Sequence, residues 1–268
     1  GFDKRSVDAT AMPPPESACM ECSLPSAGIL HRTSDCQLGD EVSVSGNLSV
    51  TGKENTYTTV FAATGKRHFK IDSGAHTLRL KWLNMTGGDV GSGWGGSISV
   101  FNVAAHLNIS HCVFFNNRAT SSGGAIYAYD HAVTLFFTHV LFESNSAGVG
   151  GAIFLQYVSF HGESNIFKEN TAHKGGAMQV HFSSVSSKHS FYINNTAKTK
   201  GGAISYESRD SYSCQLDLTR VQLIENKQTN GGTDGTMGGG GLYIEGEVTA
   251  NIRECMFVRN EANMSGHG

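Results

Sequence analysis

Apolar and polar residues alternate over short distances through most of the chain, as in "GGAIYAYDHAVTLFF" from Gly123 and "GGAIFLQYVSFHG" from Gly150. A period of two with β-branched and aromatic residues predicts short strands with one face buried. Gly pairs, Asn and Ser interrupt the runs and predict tight bends between strands. No sustained period of 3.6 competes with this reading.

The bends recur in register. "NRATSSGGAI" from Asn117, "NSAGVGGAI" from Asn145, "NTAHKGGAM" from Asn170 and "NTAKTKGGAI" from Asn195 are versions of one phrase. Its Asn column runs Asn117, Asn145, Asn170, Asn195, Asn226 and Asn260, with steps of 28, 25, 25, 31 and 34 residues. Three residues earlier stand Phe114, Phe142, Phe167, Tyr192, Leu223 and Phe257. Two residues later stand Ala119, Ala147, Ala172, Ala197, Gln228 and Ala262, and Gly pairs follow at 123, 150, 175 and 201. Such self-similarity marks a solenoid.

Two solenoids fit this period. "LTRVQLIEN" from Leu218 resembles the strand half of a leucine-rich repeat, but the other half of each unit is strand-like rather than helical. The reading is therefore all-β: a single-stranded parallel β-helix over residues 41–268, of about eight coils, preceded by an extended Pro/Cys-containing segment or cap over 1–40. Stacking coils about 4.8 Å apart would turn the Phe column into an aromatic stack within the bore. It would turn the Asn column into a hydrogen-bonded ladder at a bend, with Asn taking left-handed backbone angles there. The Ala and Gly columns would mark close approach of one coil's backbone to the next.

The paired phrases "FESN" with "GGAI" and "FKEN" with "GGAM" resemble the repeats of the chlamydial polymorphic outer-membrane proteins, and more broadly the pectate-lyase-like right-handed β-helices. The resemblance covers roughly residues 95–262. It implies a right-handed helix, a secreted or surface location and, for the polymorphic proteins, adhesion. Their membrane barrel has no counterpart in this sequence.

Composition narrows the function. Charged residues are 16% of 268 and the net charge is −3, which gives no electrostatic footprint for nucleic acid. No apolar run has the roughly 18 residues of a membrane span. The chain starts at Gly1 without a signal-like segment and reads as a mature or trimmed product. Near the start, "ATAMPPPESACMEC" favours an extended conformation. Cys19, Cys22 and Cys36 are disulfide candidates, Cys36 bonding to Cys19 or Cys22. A zinc knuckle with His31 is disfavoured by the eight-residue gap after Cys22. Cys112 and Cys255 share one inward position about 24 Å apart and cannot bond to each other; Cys214 has no evident partner.

Asn47, Asn84, Asn108, Asn194 and Asn263 head Asn-x-Ser/Thr sequons, against about three expected by chance, and are N-glycan candidates if the host is a eukaryote. Asn108 should point outward between Leu107 and Ile109. Acidic residues are scattered: Glu143 and Glu169 fall near equivalent positions without a carboxylate cluster of the kind glycosidases need. "GHG" at 266–268 resembles part of the polygalacturonase motif without the rest of it. His111, His139 and His189 read as a solvated stripe at a bend, with a metal site as the lesser alternative. "NGGTDGTMGGGG" lacks the Lys-Ser/Thr of a phosphate loop. No catalytic residue, metal or cofactor is expected.

The expectation is thus a non-enzymatic extracellular structural protein, a subunit of a cell-surface or secreted fibre assembled head-to-tail with itself. A surface adhesin or glycan-binding module, with a surface polysaccharide as partner, is the alternative. A polysaccharide lyase or hydrolase comes third.

Overall fold

The computed structural model describes residues 20–208, 214–230 and 238–263. All its regular elements are strands, and they wind into a right-handed parallel β-solenoid. One coil shows the plan. Val113–Phe115 lies on the first face, Arg118–Ser122 on the second, Ile126–Tyr129 on the third and Val133–Thr138 on the fourth, before Leu141–Glu143 returns to the first. The four faces are sheets of ten, six, eight and nine strands, respectively.

The register is in phase from coil to coil. Phe114 pairs with Phe142, Phe142 with Phe167, Phe167 with Tyr192, Tyr192 with Leu223 and Leu223 with Phe257. Their rings stack face to face at 5.0, 4.9 and 4.6 Å between centroids from Phe114 to Tyr192. Beside them, Ile98, Ile126, Ile153, Met178 and Ile204 form the inner column of the third face, and the whole interior is one continuous apolar core. Within it lies His68, whose Nε2–H donates to the Val60 carbonyl and whose Nδ1 accepts from the Ser97 hydroxyl, both at 2.9 Å. A neutral ring satisfies both bonds.

At the first corner the six Asn side chains form a hydrogen-bonded ladder. The Asn170 Nδ2 donates to Asn195 Oδ1 one coil ahead and to the Phe142 carbonyl one coil behind. Its Oδ1 accepts from both the backbone N–H and the Nδ2 of Asn145. The amide is therefore saturated, two donors and two acceptors, while fully buried. Asn145, Asn195 and Asn226 repeat the pattern, and Asn117, the first rung, repeats its two donated bonds while its Oδ1 accepts the Gly88 N–H.

The expected left-handed backbone at these Asn is displaced by one residue. Positive φ falls on Asn116, Ser144, Glu169, Asn194, Glu225 and Arg259, each immediately before a ladder Asn. The turn is made there, and Asn is required next to it for the buried hydrogen bonds. At the second corner, Gly150 has φ +64°, and a Cβ on Gly151 would lie 2.0 Å from the Gly176 carbonyl oxygen. The first Gly turns the chain and the second admits the next coil.

The solenoid also starts earlier than the expected boundary at residue 40. Met20–Cys22 pairs with Cys36–Leu38 on the first face, and Gly28–His31 pairs with Leu48–Thr51 on the fourth. The segment thus contributes coils, stapled by a Cys22–Cys36 disulfide with Cα atoms 5.7 Å apart. Cys19 lies outside the described residues, as do the "GHG" at 266–268 and most of the glycine run. Cys112, Cys214 and Cys255 are free thiols.

Two stability predictions follow from these buried polar groups. Replacing Asn170 by Ala strands the Asn145 donors and the Phe142 carbonyl, and should cost about 3 kcal/mol or more in chemical denaturation. Asn260→Ala, where water can substitute, should cost about 1 kcal/mol or less. Burial pushes the His68 pKa down to about 4 from 6.5. The unfolded chain therefore binds a proton that the folded chain refuses. Stability held above pH 6.5 should fall as pH drops toward 4, by a few kcal/mol, and His68→Gln should flatten that slope in a pH series of thermal melts.

Candidate functional site

The corner between the fourth and first faces is built by a second column of left-handed residues: Trp82, His111, His139, Ser164, His189, Arg220 and Glu254, with φ between 49° and 56°. Left-handed geometry lifts these side chains off both sheets. Toward the N-terminal coils they bound a groove of about 350 Å³, at the lower end of ligand-pocket volumes. Asn55 and Tyr57, from the turn before Thr58–Phe61, overhang one end. Cys112 and Val140 form the back, and Leu141, Ile166 and Ser164 form the other end.

The groove wall is a ring stack. Tyr57 meets Trp82 edge-on at 5.8 Å, Trp82 packs on His111 at 4.3 Å, and His111 stacks on His139 at 5.0 Å with their planes 14° apart. Trp82, His111 and His139 cover one another's faces along the stack, which leaves their edges toward the groove. The Lys81 ammonium lies 5.8 Å from the Trp82 centroid. The His111 Nδ1 is shielded from solvent and has no hydrogen-bond partner. Burial, with His139 and Lys81 beside it, lowers the His111 pKa, and Glu54 opposes this. Burial raises the Tyr57 pKa, keeping its hydroxyl a neutral donor. Burial also pushes the Cys112 thiol up to about 12, so it is no nucleophile near neutral pH.

His111 and His139 thus line a groove instead of a plain solvated stripe. His189 is separated from them by Ser164; it lies 3.9 Å from a Glu163 oxygen and 3.5 Å from Arg220. Among the described residues no group of three or more His, Cys, Asp or Glu is placed to hold a metal. Tyr57 and Trp82 were missed in sequence. Extending the stack backward would have found Trp82, because Met85 pairs with Phe114 and Trp82 precedes Met85 as His111 precedes Phe114.

Four glutamates on the first and third faces and beside them are engaged by lysines. Glu143 and Glu169 are bridged by Lys168 Nζ, at 2.5 and 3.5 Å. On the third face Glu207 takes Lys174 at 3.1 Å, Lys200 at 3.4 Å and His181 at 3.5 Å, and Lys200 also bonds Glu245. His181, ahead of Lys174 and Lys200, holds the Glu207 pKa at about 2. A group so held is a poor proton donor.

The sequon Asn residues are spread over the surface. Asn47, Asn194 and Asn263 are exposed, while Asn84 and Asn108 are half-buried. Asn108 sits between buried Leu107 and Ile109. The Asn84 Oδ1 is buried without a partner, and Asn47 Oδ1 accepts the Thr77 N–H at 2.8 Å.

No curated protein and no solved structure matches the chain. Residues 111–129 and 139–156 match the family model of the Chlamydia polymorphic membrane protein repeat. Each matched stretch contains one Phe-x-x-Asn phrase and one Gly-Gly-Ala-Ile phrase, and His111 and His139 stand at their first positions. Over these two units the chain is similar to that repeat.

Proposed function

We propose that the chain is a non-enzymatic, adhesin-like recognition module displayed at a cell surface, with the groove at the fourth-to-first corner as its contact site. The observation that carries this reading is the groove itself, an open, ring-walled depression on a rigid scaffold, lying on coils similar to a surface-protein repeat. Support for a binding role over a hydrolytic one comes from the carboxylates of Glu143, Glu169, Glu207 and Glu245, which are engaged by Lys side chains. A glycosidase needs one carboxyl held as an acid with a second facing it across the substrate.

End-to-end assembly into a fibre is a second reading, favoured by one observation. In the last described coil Ile252 and Phe257 are 42% and 48% exposed, while their partners one coil back, Leu218 and Leu223, are fully buried. A further strand-forming coil would cover that edge, whether it comes from the same polypeptide or from a second copy; in the second case the repeated head-to-tail contact grows into a filament.

Beads carrying the purified chain should adhere to host-cell monolayers or immobilised surface polysaccharide and be displaced by soluble chain; no retention above bare beads contradicts the recognition role. Electron microscopy of concentrated protein addresses the fibre: end-joined rods are expected from it, and isolated short rods at every concentration speak against it.

A further inference from the structure

The groove's chemistry names a ligand class. Resting on the recognition role proposed above, we infer that the corner groove binds an anionic group, a carboxylate or sulfate, carried on a saccharide. The groove presents ring edges, and an aromatic edge carries the positive end of the quadrupole. It therefore favours an anion or an acceptor oxygen over a sugar face stacked flat on a ring. The lining carries side chains able to donate hydrogen bonds: the His111 and His139 imidazoles, the Tyr57 hydroxyl, the Asn55 amide and the Ser164 hydroxyl. Lys81 stands at the Trp82 ring and adds a positive charge.

The same surroundings argue against a densely charged polyanion. The chain carries a net charge of −3, Glu54 acts on His111 from the overhanging turn, and Glu163 lies further along the column near His189. A nucleic acid laid on this corner would meet those carboxylates. A saccharide with one anionic group per one or two sugars can place its charge at His111 and His139 and its hydroxyls against Asn55 and Ser164. The volume of about 350 Å³ suits a short stretch of such a chain rather than an extended one.

Binding should strengthen in mild acid. An anion beside His111 favours its protonated form and opposes the lowering that burial imposes, so affinity rises as pH falls. The charged groups acting on His111 are His139, Lys81 and Glu54; the first two oppose its protonation until a ligand anion offsets them.

The test is calorimetric titration of the purified chain with three probes at pH 7.5 and 5.5: a glucuronate-containing tetrasaccharide, its methyl ester, and an O-sulfated neutral tetrasaccharide. One or both anionic probes should bind about tenfold tighter at pH 5.5, equivalent to about 1.4 kcal/mol. The ester should bind far more weakly than its parent acid at both pH values. His111→Asn and His139→Asn, which suit a left-handed corner, should lose the acid increment. If either variant fails to melt like the parent, shifts of the His111 and His139 ring signals on adding the anionic probe to the unsubstituted chain decide instead. Equal binding of ester and acid, a flat pH response, or an increment that survives in well-folded variants overturns the inference. Adhesion of beads without binding of either anionic probe overturns it as well, yet leaves the recognition role standing. Tighter binding of single-stranded DNA than of either oligosaccharide assigns the groove to another class and also overturns it. No adhesion to cells or polysaccharide at all removes the parent reading.

Discussion

A buried polar column governs this architecture. Every coil must turn from its first face to its second inside a close-packed stack, and each turn leaves a backbone N–H and a carbonyl out of reach of water. An Asn placed one residue after the left-handed position answers both: its oxygen takes the N–H from the preceding coil and its amide reaches a carbonyl of that coil. Because the remaining donor meets the next Asn amide and the remaining acceptor meets the preceding one, the solution works only when repeated in register. Loss of one rung leaves buried groups unmade, and that penalty exceeds the net gain of an ordinary hydrogen bond.

The fourth-to-first corner faces the same demand and meets it differently. There the inward position is Cys112, Val140, Asn165, Ser190, Val221 and Cys255 in successive coils. Asn165 Oδ1 accepts the Val140 N–H and its amide reaches the Phe137 carbonyl, while the Ser190 hydroxyl serves Asn165. A corner with mixed inward residues tolerates variation in what it displays. The left-handed column beside it ranges from Trp82 through His111 and His139 to Arg220 and Glu254. The ladder corner supplies rigidity, and the variable corner supplies a surface whose chemistry changes along the rod.

This contrast explains what the sequence disclosed. The Phe, Asn and Gly columns were legible because each admits a narrow set of residues: a large apolar side chain (mostly a stacked ring), a saturated amide, and a backbone without Cβ. The side of the bend that takes left-handed angles was misplaced by one residue, since Asn116 and Asn194 sit directly before ladder Asn and the two roles share a residue type. Strands at Met20–Cys22 and Gly28–His31 were not legible as coils because they precede the first Gly pair and carry none of the repeated phrases. The groove was least legible of all. Tyr57 and Trp82 lie before the recognisable repeats, and they meet His111 only through stacking across 25 or more residues.

The most direct measurement of the central idea is side-chain amide exchange by NMR, with cross-relaxation between neighbouring Asn amides. The Asn145, Asn170 and Asn195 amide protons should exchange orders of magnitude more slowly than that of exposed Asn47, and each should show contacts to the next rung. Exchange as fast as at Asn47, or no contact between the Asn145 and Asn170 amides, would contradict a stack held together by this ladder.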